Sequence, residues 1–163
     1  MTDEAQKPVP VLARRELQAQ VIKPIYEEMV ETLGEEQAQG ILDRAVRKAA
    51  IAEAESFANQ APDGGTSLKS FVELLNLWTQ GGALEIEVHH QSEERFDFDV
   101  TRCRYAEMYR EMGLGHIGHL MSCNRDGAFC EGYDSNLELT REHTIMGGAP
   151  TCTFRYRYKS ADE

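Results

Sequence analysis

The spacing of apolar residues changes once along this chain, and that change restricts the folds open to it. Up to Thr79 the apolar side chains recur at helical spacing; from Leu84 they begin to alternate. A period near 3.6 lines one stripe of a helix, whereas a period of two lines one face of a strand. Between Leu12 and Leu33, residues Ile22, Ile25, Tyr26, Met29, Val30 and Leu33 fall at i, i+3 and i+4. Pro24 lacks an N–H, so it either opens a helix or kinks a longer one. Gly34 supplies a stop, and Glu35 and Glu36 suit the first turn of a second helix. That helix carries Ile41, Leu42, Ala45, Ala49, Ala52 and Phe57 on its apolar face. The run Ala61-Pro62-Asp63-Gly64-Gly65 is a loop. Thr66 or Ser67 then caps a third helix with a stripe of Phe71, Leu74, Leu75 and Trp78, ended by Gly81 and Gly82.

Beyond that point Leu84, Ile86 and Val88 alternate with acids, as do Phe96, Phe98 and Val100. These read as two strands joined by a turn around Gln91 to Glu94. Tyr105 to Met112 returns to helix, stopped by Gly113 and Gly115. In a third strand Leu137 and Leu139 share a face with Arg141 and His143. In a fourth, Cys152, Phe154, Tyr156 and Tyr158 lie opposite Thr151, Thr153, Arg155 and Arg157. Gly147, Gly148 and Pro150 connect the two. The expected class is α+β: N-terminal helices packed on one face of a C-terminal antiparallel sheet of about four strands. A chain of 163 residues suits one domain, over residues 11–159, with tails at 1–10 and 160–163.

The formal net charge of −11 argues against nucleic acid and against anionic membrane surfaces as partners. No apolar run approaches the roughly 18 residues of a membrane span. The first ten residues lack the basic start and apolar stretch of a secretory signal, so the cytoplasm is the expected compartment. Cys103, Cys123, Cys130 and Cys152 are then expected as free thiols.

The densest group of chemically capable residues runs from His116 to Asp126. If this segment is helical, His116, His119, Leu120 and Cys123 share a face. Cys123 is a candidate nucleophile, with His116 or His119 as base and Arg125 favouring a thiolate; the bland alternative is an inert core cysteine. A zinc set of His116, His119 and Cys123 with Cys130 or Cys152 matches no established spacing, so no metal or other cofactor is expected. His89 and His90 adjoin on a strand and point to opposite faces. His143 shares a face with Leu137 and Leu139, as a candidate base or a satisfied, partly buried histidine. Arg125 and Arg155 suit a two-pronged grip on a carboxylate, or ion pairs with Asp126, Glu131 or Glu138.

The strings Cys123-Asn124-Arg125-Asp126, Glu131-Gly132-Tyr133, Thr144-Ile145-Met146-Gly147-Gly148-Ala149 and Cys152-Thr153-Phe154-Arg155 resemble the L-2-amino-thiazoline-4-carboxylic acid hydrolase family. The helix ending in Met112-Gly113-Leu114-Gly115 fits as well. The resemblance implies a hydrolase for a non-peptide C–N or C–S bond, opening a small cyclic isothiourea or amidine to an N-carbamoyl amino acid. It implies catalytic roles for Cys123, Asp126, His119, His143 and Cys152, and substrate-binding roles for Arg125, Glu131, Thr144 and Arg155. Thr153 stands where the family pattern has an acid, and Asp134-Ser135 where it has Asn-Pro. A binding or sensing module without chemistry, or a metal-binding protein, are the alternatives. The expected partner is a small-molecule substrate, and a homodimer is one way to cover the sheet edges.

Overall fold

In the computed structural model, which describes residues 7–160, the first helix α1 (Val11–Leu33) passes through Pro24 without a break. Residues 1–6 and 161–163 of the expected tails lie outside the described residues. Gly34, at φ 87°, is the single-residue hinge from which α2 (Glu35–Ala58) starts; that left-handed conformation is open to glycine and strained for other residues. α2 buries Ala38, Leu42, Val46, Ala50 and Ala54, whereas the expected Ile41, Ala45, Ala49 and Ala52 are exposed. Both rows are apolar, so periodicity alone could not choose between them. The choice is made by α5 (Asn124–Tyr133), whose Gly132 lies so close that a Cβ there would sit 2.4 Å from the Ile51 carbonyl oxygen.

α3 (Leu68–Thr79) begins at Ser67, whose hydroxyl accepts from the Ser70 N–H while the Ser70 hydroxyl accepts from the Ser67 N–H. This reciprocal cap satisfies two orphan donors. The strands β1 (Leu84–Gln91) and β2 (Arg95–Cys103) form a hairpin, followed by α4 (Arg104–Glu111). β3 (Leu137–Thr140) and β4 (Cys152–Tyr158) complete an all-antiparallel sheet of order β1-β2-β4-β3. The class is α+β, with five α-helices and four strands among the described residues. Phe96, Phe98, Val100, Cys152, Phe154 and Tyr156 turn inward from the central strands. Phe98 stacks on Phe154 with centroids 4.8 Å apart. Their core meets Phe71 of α3 and Phe129 of α5; a second core joins α1, α2 and α4.

The other face of β2 and β4 is a ladder of charges. Asp97 is 3% exposed and held by Arg95 and Arg157, each at 2.5 Å. Burial alone would raise its carboxyl, but the hydrogen bonds from Arg157 and Arg95 hold it below the usual range. A depressed folded-state pKa adds stability above the unfolded value of 3.8 that is lost as pH falls through the folded one. Asp97→Asn is therefore expected to cost about 1.5 kcal/mol at neutral pH. The difference from wild type should close as urea titrations are repeated below pH 4.

Candidate functional site

The charged residues of α1 and α2 converge with α5 at one end of the inner core. Arg15 lies on the buried row of α1, between Val11 and Ala19, and is 3% exposed. Its guanidinium is 3.6 Å from Glu53 of α2, and Arg125 of α5 reaches the same carboxylate at 2.5 Å. Burial, and then the nearby Arg125 charge, push the Arg15 pKa down. Next to them Arg141 donates to Asp126 at 2.6 Å and to the Cys123 carbonyl at 2.9 Å, with its guanidinium 5.0 Å from the Phe154 ring centroid. Burial pushes the Asp126 carboxyl up, against the pull of Arg141.

These groups form the polar end of a cavity of about 90 Å³. Its other walls are apolar. Phe98, Val100, Phe154 and Tyr156 come from the sheet, Phe71, Leu75 and Trp78 from α3, and Phe129 from α5. Three guanidinium groups face two carboxylates here, so with both acids ionised the polar end still carries one excess positive charge. A buried charge without a partner is unfavourable, and an anion entering the cavity would relieve it.

The segment leading into α5 sets the cavity's edge. His119–Cys123 forms a π-helical turn that runs directly into α5. Such turns are rare and recur at functional sites. It places Ser122 and Cys123 on the cavity, with the Ser122 hydroxyl 2.7 Å from that of Tyr109. Cys103, at the cap of α4, and Cys152 also line it. All four cysteines are free. Burial pushes Cys123 up to about 12, with the Asp126 carboxylate adding to the effect, and Cys103 up to about 11. Cys123 is therefore a neutral thiol at physiological pH rather than a thiolate waiting for substrate. Cys152 Sγ accepts from the Ile145 N–H at 3.2 Å, which ties the loop between β3 and β4 to the start of β4.

Of the residues singled out from the sequence, Cys123, Arg125, Asp126 and Cys152 line this cavity together. Arg125 is turned toward Glu53 instead of Cys123. The other five lie outside the lining. His119 is half-buried on the α2 side of the π turn, where Asn124 donates to Asp43 at 2.9 Å. Glu131 is exposed on α5. β3 ends at Thr140, so His143 lies beyond the strand and is exposed, while Arg141 turns into the cavity. The Thr144 hydroxyl accepts from the Gly147 N–H at 3.0 Å and serves the turn. Arg155 is on the outer face of the sheet, 2.9 Å from Asp99. Thr153 shares that face opposite Asp99, so an acid at this position would not point into the cavity. His116 is exposed beside the Tyr26 ring and does not line the cavity. Among the described residues no three His, Cys, Asp or Glu side chains form a metal-ligand group.

Sequence reading passed over Arg15, Glu53 and Arg141. Arg15 left a signal: a charge in the row Val11, Arg15, Ala19, where helical spacing calls for an apolar residue. Glu53 and Arg141 left none, because their neighbours in the cavity are distant in the chain.

A family model described as L-2-amino-thiazoline-4-carboxylic acid hydrolase matches residues 14–156. No curated protein matches the sequence. Among solved structures, the phenol-responsive sensory domain of the transcription activator PoxR, with phenol, is similar at TM-score 0.54 and 15% identity, over 85% of this chain and 73% of that one. A trafficking protein particle complex subunit 3 from Naegleria fowleri, covalently bound to palmitic acid, is similar at TM-score 0.53 and 13% identity, over 91% and 96%. At these identities the likeness is one of fold. Among the described residues no helix is long and apolar enough to cross a membrane.

Proposed function

This chain belongs to the L-2-amino-thiazoline-4-carboxylic acid hydrolase family, and we propose that it hydrolyses a small cyclic isothiourea or amidine bearing one carboxylate. The observation that carries this reading is the polar end of the cavity, where Asp126 and Arg141 stand beside Arg15 and Arg125. Arg15 and Arg125 receive the substrate carboxylate, which adds a second anion to the charge they now share through Glu53. The ring lies against the aromatic wall. Asp126 takes a proton from a water that adds to the ring carbon between nitrogen and sulfur. The C=N electron pair passes to the ring nitrogen, which ends with the water's second proton; as the carbonyl forms, the carbon–sulfur bond breaks and the same carboxyl returns the first proton to the leaving sulfur. A carboxyl raised by burial is better matched to taking and returning a proton near neutral pH than one at its ordinary value. The neutral Cys123 thiol favours water over a covalent route and leaves Cys123 as part of the wall. His119 and His143, outside the cavity lining, have no part in this scheme, nor do Glu131, Thr144 and Arg155.

Ring opening of the thiazoline and related cyclic compounds, followed by chromatography, tests the proposal. Asp126→Asn is expected to lower kcat by about 10²-fold or more. Cys123→Ala should retain most of the activity. The rate should rise with pH as Asp126 ionises, and the Asn variant should lose that limb. Absence of turnover across the panel would overturn the hydrolase reading. A second reading draws on the apolar majority of the lining and on the phenol-bound sensory domain that shares the fold: a binding module that holds a small ring without changing it. Thermal stabilisation by a compound recovered intact would favour it.

A further inference from the structure

Helix α1 has a second face that the cavity does not use. Of the eight large apolar side chains exposed among the described residues, four lie on α1, and three of these, Leu17, Val21 and Ile25, follow one another at a spacing of four. Leu17 is 56% exposed, Val21 62% and Ile25 54%, and the three lie within about 80° of arc on the helix. Ala13 and Met29, both half-buried, bound this stripe at its two ends. Scattered exposed apolar residues need no explanation, but a continuous row is an unpartnered surface. A row of this spacing follows the i±4n ridge of a helix, and two such ridges interdigitate when helices cross at about −50°.

We infer that this row is the contact between two copies of the chain, with α1 crossing its counterpart antiparallel about a two-fold axis at Val21. The row is self-complementary about that point. Leu17 meets Ile25 of the other copy, and Val21, the most exposed of the three, meets itself. The flanking charges follow the same symmetry: Arg14 and Glu28 are both seven residues from Val21, so each Arg14 faces the other copy's Glu28. An isologous contact needs this reciprocity of a patch with itself, and the sequence offers it in both the apolar and the charged positions. A membrane surface is disfavoured as occupant by the net charge of −11. One helix crossing is a small interface, so the dimer depends on concentration.

Sedimentation velocity of the full chain over a concentration series tests the inference. Wild type should move from the 18.4 kDa monomer toward twice that mass. Val21→Glu places two carboxylates face to face at the axis, and the dimer should be lost while circular dichroism and thermal midpoint stay at wild-type values. Arg14→Glu and Glu28→Arg should each raise the dissociation constant roughly fivefold. The double reversal should restore it, although Arg14 also touches Glu53 at 3.4 Å within its own chain. A monomer throughout the series, a Val21→Glu protein that still dimerises, or a double reversal no better than the single ones would each overturn it.

Discussion

Replacing Arg141 by Met is expected to destabilise the protein by about 2–3 kcal/mol, the loss that follows when a half-buried carboxylate is deprived of its charged hydrogen-bond donor. Asp126 would remain enclosed with its main partner gone, the Cys123 carbonyl would lose its donor, and Phe154 would lose the guanidinium over its ring. The sign of the pH dependence separates these effects. Asp126 is already raised by burial, and without Arg141 it would rise further. A carboxyl whose folded pKa exceeds its unfolded one destabilises the fold progressively as pH rises above the unfolded value, until the folded group ionises. The deficit of Arg141→Met should therefore be smallest near pH 4 and grow toward neutrality in denaturant titrations. The double variant Asp126→Asn/Arg141→Met should recover much of the loss. A deficit independent of pH would mean that Arg141 acts through packing and the Cys123 carbonyl alone.

Gly132→Ala is the second large effect, about 2–4 kcal/mol of destabilisation. In most helices this change is favourable by up to about 1 kcal/mol, because alanine is the better helix former. Here the added methyl would meet the Ile51 carbonyl oxygen at 2.4 Å and the Ala54 Cβ at 2.9 Å. The nearest atom belongs to the backbone of α2, so no side chain can swing away. α5 must back off, and overpacking of this kind exceeds the gain in propensity. Because α2 carries Glu53 and α5 carries Arg125 and Asp126, the same shift would spread the polar end of the cavity. A thermal midpoint equal to or above wild type would show that α2 and α5 can separate without penalty.

Much of the fold was open to reading from local pattern. The change of period near Leu84 marked the first three helices and the first, second and fourth strands closely, since periodicity is a property of neighbours along the chain, while the third strand was read past its end at Thr140. It failed where two rows were equally apolar, as on α2. It also failed on the segment from His116 to Tyr133, where three glycines and a mixed pattern hide a π turn and a ten-residue helix. For the site, the stretch Cys123 to Asp126 was visible because four capable residues are contiguous. His143, Thr144 and Arg155 were drawn in by the same nearness in sequence and lie outside the lining.

By itself, then, the sequence determined the α+β class, the four strands, the family and the segment that carries Cys123, Arg125 and Asp126. Only the tertiary structure decided which charges share the cavity. Arg125 meets Glu53 across 72 positions and Arg15 reaches it from a different helix. No local period records such a meeting; it follows from how closely α2 and α5 pack at Gly132. The structure also divided the two faces of the sheet. It set the apolar residues of β2 and β4 against the cavity, with Arg155 and Thr153 on the charged face outside. Alternation names two faces but not which one the helices will cover with a site.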